Sequence, residues 1–323
     1  MQAKARTFFQ SCFFLLSTAM LPANLQANAE PLPVFVSIAP QKWLVEQLGG
    51  DFINTHVLLD KGQEPHTYQP SPEKITLLFR SRLYFTIGMQ FEREIIRKIG
   101  NNESSGSGLQ FIDVTTGIKR IPMVAHHHHE KEEEDHEGHD QHRHEEAEQA
   151  REHADPHIWL DPRNVEKMAS AMTEALATAD PKHAGAYQQN LQALKDRLTR
   201  LHRELGQQLA PFRGATFFVF HPAFGYFAHA YDLHQEAVEI EGKAPSPKQL
   251  YALVKKARAD KVRMLFVQPQ FDRKNAQIVA QAIKGELMEL DPLAEDVEQN
   301  LRRMAEAMQT ALTPRQAPKR YSP

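Results

Sequence analysis

The chain has 323 residues, 38 Lys and Arg against 41 Asp and Glu, a formal net charge of −3 and one cysteine. That balance leaves no basic footprint for nucleic acid, and a single cysteine excludes a disulfide-stapled scaffold. The charge is unevenly placed, because residues 126–153 hold eleven acids against only Lys131, Arg143 and Arg151.

Lys4 and Arg6 precede a short apolar run, FFLLSTAMLPA, and the small-x-small triplet Ala27-Asn28-Ala29 follows. The pattern predicts an export signal over residues 1–29. Its apolar run is shorter than the roughly 20 residues that a membrane span needs. Cys12 lies within the signal, so the mature chain from about Glu30 keeps no cysteine to pair or to carry a lipid. The expectation is a soluble, periplasmic monomer with no stable membrane insertion.

Short β-rich runs then alternate with helical patterns. VFVSIA (34–39), THVLL (55–59), LYFTIG (83–88) and LQFIDV (109–114) read as strands, and KWLVEQLGG, SPEKITLLFRS and FEREIIRKIG as the helices between them. Ser71 and Pro72 mark a helix start. NNESSGSG (101–108) reads as a surface turn. Such alternation predicts a parallel sheet covered by helices. Residues 119–154 interrupt it as a long charged loop with no periodicity, read as disordered. Within that loop, HHHHEKEEEDHEGHDQHRHEE (126–146) carries eight histidines.

Asp180 and Pro181 then read as the cap and first turn of a long helix. Its Tyr187, Leu191, Leu194, Leu198, Leu201, Leu205 and Leu209 recur every three or four residues. At about 1.5 Å per residue it would reach roughly 40 Å, enough to run from one lobe to another. The alternation restarts with TFFVF (216–220), HQEAVEI (234–240), VRMLFVQ (262–268) and GELMEL (285–290). A last helix from about Asp296 to Leu312 places Val297, Leu301, Met304 and Met308 on one face. The expected class is α/β, with two similar lobes: an N-terminal lobe over 30–180, a linking helix over 181–210 and a C-terminal lobe over 211–323.

Open parallel sheets gather ligands beyond the carboxyl ends of their strands. Four titratable residues fall at such places: His66 in EPHTYQPSP, His157 in DPHIWLDP, His221 in FHPAFGYFA and Asp291 in LDPLAED. Two come from each lobe, so a site built from them would lie in the cleft between lobes. Three imidazoles and a carboxylate make a tetrahedral shell suited to Zn²⁺. Pro65, Pro156, Pro222 and Pro292 flank the four and would stiffen their loops. A lone loop histidine is more often a surface or hydrogen-bonded residue than a ligand, so the case rests on the set. His56, His183, His202, His229 and His234 sit in strand or helix patterns and read as structural. His183 and His202 in particular read as solvated.

EPHTYQPSP, DPHIWLDP, HPAFGYFA and the terminal LDPL, in this order, resemble the metal-binding proteins that serve bacterial ABC importers for zinc and manganese. The resemblance is closest to their zinc-specific, ZnuA-type members and covers residues 33–312, including the acidic His-rich insertion before the second motif. It implies a mainly parallel four-stranded sheet in each lobe, one rigid connecting helix, and a metal role for His66, His157 and His221. In manganese-preferring relatives the position of His221 is usually glutamate, and imidazole there favours zinc. Some zinc-specific relatives use three histidines and water, which leaves Asp291 or water as the fourth ligand. The implied function is capture of a zinc ion and delivery to an inner-membrane ABC permease, with no bond made or broken. Zinc storage or chaperoning is an alternative, as is the same transport role with manganese or iron. A zinc hydrolase would need a general base, and the nearest acid in a motif is Glu64. The His-rich tract reads as an accessory that collects zinc weakly, since each binding event there must order the loop.

Overall fold

A computed structural model describes residues 30–100, 108–123, 154–239, 246–271 and 273–314. The predicted signal, most of the 101–108 turn and the His-rich tract lie outside the described residues.

The N-terminal lobe runs β1 (Leu32–Val36), α1 (Ala39–Gly49), β2 (Ile53–Val57), α2 (Pro72–Arg80), β3 (Leu83–Thr86), α3 (Gln90–Gly100) and β4 (Gln110–Asp113). After the tract come α4 (Pro162–Ala179) and the long α5 (Ala184–Leu209). The C-terminal lobe follows as β5 (Thr216–Val219), α6 (Gly225–Ala230), β6 (His234–Ala237), α7 (Pro247–Ala259), β7 (Met264–Val267), α8 (Arg273–Ile283), β8 (Glu286–Glu289) and α9 (Val297–Leu312). All eight predicted strands are present, with edges displaced by a few residues. VFVSIA, for example, leaves the sheet at Val36, and α1 starts at Ala39.

Each sheet has four strands paired in parallel, in the orders β2-β1-β3-β4 and β6-β5-β7-β8. The two lobes thus share one topology. The central strands β1 and β5 carry nearly continuous apolar runs, as sheets covered on both faces require. Val34, Phe35 and Val36 are fully buried, and so is Val219. Ser71 caps α2 by accepting the Lys74 N–H, with Pro72 at the first helical position.

All seven apolar positions anticipated on α5 are buried. This helix packs against α1 and α4 of the first lobe and α9 of the second. Val34, Phe85, Leu198, Tyr226 and Leu301 consequently belong to one hydrophobic cluster that crosses from lobe to lobe. A second cluster, including Phe218, Leu265 and Val279, fills the outer side of the C-terminal sheet. A continuous core resists wide hinge opening, because separating the lobes would expose apolar area at about 25 cal/mol per Å².

Asp180 and Pro181 open the long helical stretch as expected, through a 3₁₀ turn (Pro181–His183) that passes into the α-helix at Ala184. The Asp180 carboxylate accepts from His183 Nδ1 (2.6 Å) and the Tyr187 hydroxyl (2.7 Å). Two expectations need correction. His183 and His202 are half-buried. The His183 ring stacks on Phe52 at 4.0 Å, while His202 lies against Tyr231 with its Nδ1 buried. Finally, the predicted disordered loop is ordered at both margins. Pro122 and Ala154 form an antiparallel bridge, and the Asp155 N–H donates to the Ile121 carbonyl at 2.9 Å. The two ends of the tract are therefore pinned together just before His157.

Candidate metal centre

His221 stands against both His66 and His157. His221 follows β5, the second strand of its sheet, so the ends of both neighbouring strands can reach it. Glu239, beyond β6, accepts from His221 Nδ1 at 3.1 Å. Gln268, beyond β7, accepts the His221 N–H at 3.3 Å and donates to the His221 carbonyl at 2.7 Å. The Phe271 ring stacks on the imidazole at 4.8 Å. His221 is 3 % exposed and Glu239 4 %. A buried histidine so gripped has one orientation, with Nδ1 bearing the proton and Nε2 free to bind.

His157 is held in the same manner. Asp155 Oδ1 accepts both its backbone N–H at 2.9 Å and its Nδ1–H at 2.7 Å. The following Trp159 donates from Nε1 to the Pro292 carbonyl at 2.7 Å, tying DPHIWLDP to LDPL of the other lobe. His66 is held less firmly. It lies on the turn after β2 and is exposed at the rim, where Glu64 accepts the N–H groups of His66 and Thr67, both at 2.8 Å.

His66 Nε2 and His221 Nε2 stand 3.4 Å apart. Two nitrogens on one tetrahedral zinc, each about 2.0–2.1 Å from it, would be roughly 3.3–3.4 Å apart. The ring centres of His66 and His157 lie 5.0 and 5.5 Å from that of His221. The same tetrahedron places ring centres about 5 Å apart. His221 is thus the common vertex. Among the described residues no group of three or more His, Cys, Asp or Glu side chains is placed to hold a metal ion.

Asp291 follows β8, and one of its carboxylate oxygens is already engaged. Its Oδ1 accepts from Gln270 Nε2 and the Leu293 N–H, each at 2.9 Å. It borders a cavity of about 760 Å³ with Asp60, Lys61 and Arg303, and no histidine lines that space. Nor does it cap the last helix, a role taken by Asp296.

Electrostatics favour neutral imidazoles. Desolvation of the ring where it faces His221, followed by the charge of His221, lowers the His66 pKa, against the pull of Glu64 and Glu239. Burial is also the main cause of a lowered pKa at His221, opposed by its bond to Glu239 and reinforced by His157. Both are below 6.5, so at neutral pH a metal meets little competition from protons. Asp155, Glu239 and Gln268 were missed at the sequence level. Asp155 left a signal two residues before His157, whereas the other two become neighbours of His221 only through strand order.

Two parallel α/β lobes bound by one helix, with imidazoles beyond the strand ends, are the frame of a metal-binding, substrate-binding protein of ABC transporters. The model of the family "Zinc-uptake complex component A periplasmic" (ZnuA) matches residues 34–313, and the chain belongs to that family. It is 31 % identical over 241 residues to the high-affinity zinc uptake system protein ZnuA of Paracoccus denitrificans, covering 72 % of this chain and 74 % of that one. A putative metal-binding protein of Treponema pallidum is 27 % identical over 276 residues, covering 85 % and 83 %. Among solved structures, a crystal structure of ZnuA is 33 % identical with a TM-score of 0.75, covering 88 % of this chain and all of that one. A zinc-bound deletion mutant of ZnuA is 32 % identical with a TM-score of 0.76 and the same coverage. This is a family of solute-binding transport proteins, not of enzymes. Among the described residues no helix is long and apolar enough to cross a membrane.

Proposed function

We propose that the protein captures Zn²⁺ in the periplasm and delivers it to an inner-membrane ABC permease, with His66, His157 and His221 as ligands. The observation that carries this reading is the 3.4 Å gap between His66 Nε2 and His221 Nε2, with the other His221 nitrogen occupied by Glu239. An imidazole-rich set favours zinc over manganese, which prefers oxygen donors. Asp291, through Oδ2, or water completes the shell. His66, on the exposed turn, closes last and opens first, so release to the permease needs a loop shift and not a wide hinge. Hydrolysis is disfavoured because the family is one of solute-binding transport proteins, and the Glu64 carboxylate is turned to the backbone N–H groups of His66 and Thr67.

The tract over 126–150 is an accessory that gathers zinc near the cleft. Its pinned base, Pro122 to Ala154, supports this by separating it mechanically from His157.

Deleting the gene tests transport. Growth should fail in chelator-treated medium and return with added zinc. Normal uptake of labelled zinc in the deletion strain would instead indicate a storage protein, and rescue by manganese alone would reverse the choice of ion.

A further inference from the structure

We infer that the C-terminal lobe sets the orientation of His157, acting through Gly225 and Asp155. This rests on the proposed ligand role of His157.

Asp155 is 1 % exposed, and its Oδ1 is committed to His157 by two hydrogen bonds. Its other oxygen is packed against the opposite lobe. A Cβ placed on Gly225 would stand 2.6 Å from Asp155 Oδ2, 3.8 Å from its Cγ and 3.4 Å from Ile121 Cδ1. The space for the carboxylate therefore exists because position 225 has no side chain. The surrounding contacts fix both sides of this meeting. Ile121, whose carbonyl accepts from the Asp155 N–H, has its own N–H 3.3 Å from the hydroxyl oxygen of Tyr226, the residue after Gly225. On the C-terminal side, the Ala223 N–H donates to the His221 carbonyl at 2.8 Å and the Phe224 N–H to Gln235 Oε1 at 2.7 Å. Gly225 is thus carried on the same short, fixed segment as His221.

The consequence is a coupling between two ligands from different lobes. The segment that presents His221 also braces the carboxylate that aims His157, so a displacement of that segment is felt at both imidazoles. Asp155 is a positioning residue here, and Gly225 positions it in turn. Carboxylates that orient a metal-bound histidine typically change affinity 10–100-fold when removed.

A double-substitution cycle in the mature protein tests the inference, with zinc affinity read by chelator competition and site geometry by the visible absorption of bound Co²⁺. Gly225→Ala should weaken zinc binding 10–100-fold and alter the Co²⁺ spectrum, although residue 225 touches no ligand. Asp155→Ala should do the same. In the double variant the added methyl meets no carboxylate, so its affinity should match Asp155→Ala alone. The relay is overturned if the two effects multiply, or if Gly225→Ala binds within twofold of the parent. His157→Ala separates the underlying reading: parental affinity there refutes the ligand assignment itself, whereas lost affinity with an unaffected Gly225→Ala refutes only the relay.

Discussion

His221→Ala should abolish tight zinc binding. Structural zinc sites are worth about 10–16 kcal/mol over four ligands, so one ligand is worth roughly 3–4 kcal/mol, or 10²–10³ in affinity. His221 should lie at the upper end because it is the vertex: its ring is the one in contact with both His66 and His157. The substitution also strips Glu239 of its imidazole partner while leaving that carboxylate 4 % exposed. A buried charge without its partner is strongly unfavourable. The metal-free variant should therefore also unfold at a lower temperature than His66→Ala, whose ring is at the rim. Chelator competition decides the matter, and an affinity within tenfold of the parent would remove His221 from the site.

The second large effect is expected at Glu92, far from any ligand in the sequence. Glu92 is fully buried, and its carboxylate accepts the N–H groups of Ile87, Gly88 and Met89 at 2.6–3.1 Å. The Ser37 hydroxyl also donates to it and lies 2.8 Å from the Tyr84 hydroxyl oxygen. Gly88 adopts a φ of 85°, which lets the turn after β3 wrap around the carboxylate. Glu92→Ala would orphan two buried N–H groups, of Ile87 and Met89, and the half-buried one of Gly88, a buried one being worth about 1–3 kcal/mol when left unpaired. A loss of roughly 3–5 kcal/mol follows, which lowers the melting temperature by about 10 °C or more.

Burial is the first cause that raises the Glu92 pKa, from 4.5 to about 7, with the hydrogen bonds opposing it. A folded-state pKa above the unfolded one gives stability that is complete below pH 4.5 and lost as pH rises through 7. Glu92→Gln keeps one acceptor oxygen, enough for the Gly88 and Met89 N–H groups that share Oε2, and does not ionise. It should lose ground to the parent at pH 5 and gain on it at pH 8. Thermal melts across that range check both expectations. A cost below 1 kcal/mol for Glu92→Ala would mean that the carboxylate does not hold the turn.

The large elements were legible because they depend on local chemistry. Apolar, β-rich runs between turn signals gave the strands, Ser71-Pro72 gave a helix start, and the leucine seam of α5 gave the helix that joins the lobes. His66 and His221 stood out because each follows a strand, and His157 because it follows the charged tract. Their supports were less legible. Glu239 and Gln268 flank His221 only because β6 and β7 flank β5, a neighbourhood that lies outside the sequence of any one strand. Glu92 looks like any charged position of an amphipathic helix in FEREIIRKIG, and nothing local reveals a turn folded over it. His202, expected in solvent, is covered because Tyr231 packs on it from 29 residues away. For Asp291 the place after β8 was legible, but the engagement of its Oδ1 by Gln270 was not.

The central claim is that the cleft, and not the histidine run, holds zinc tightly. Calorimetric titration of zinc into metal-stripped protein lacking residues 126–150, beside the same protein carrying His66→Ala and His221→Ala, tests it directly. The account predicts one tight site per molecule in the first and none in the second. Loss of tight binding on deleting the tract alone, with the cleft histidines intact, would contradict it.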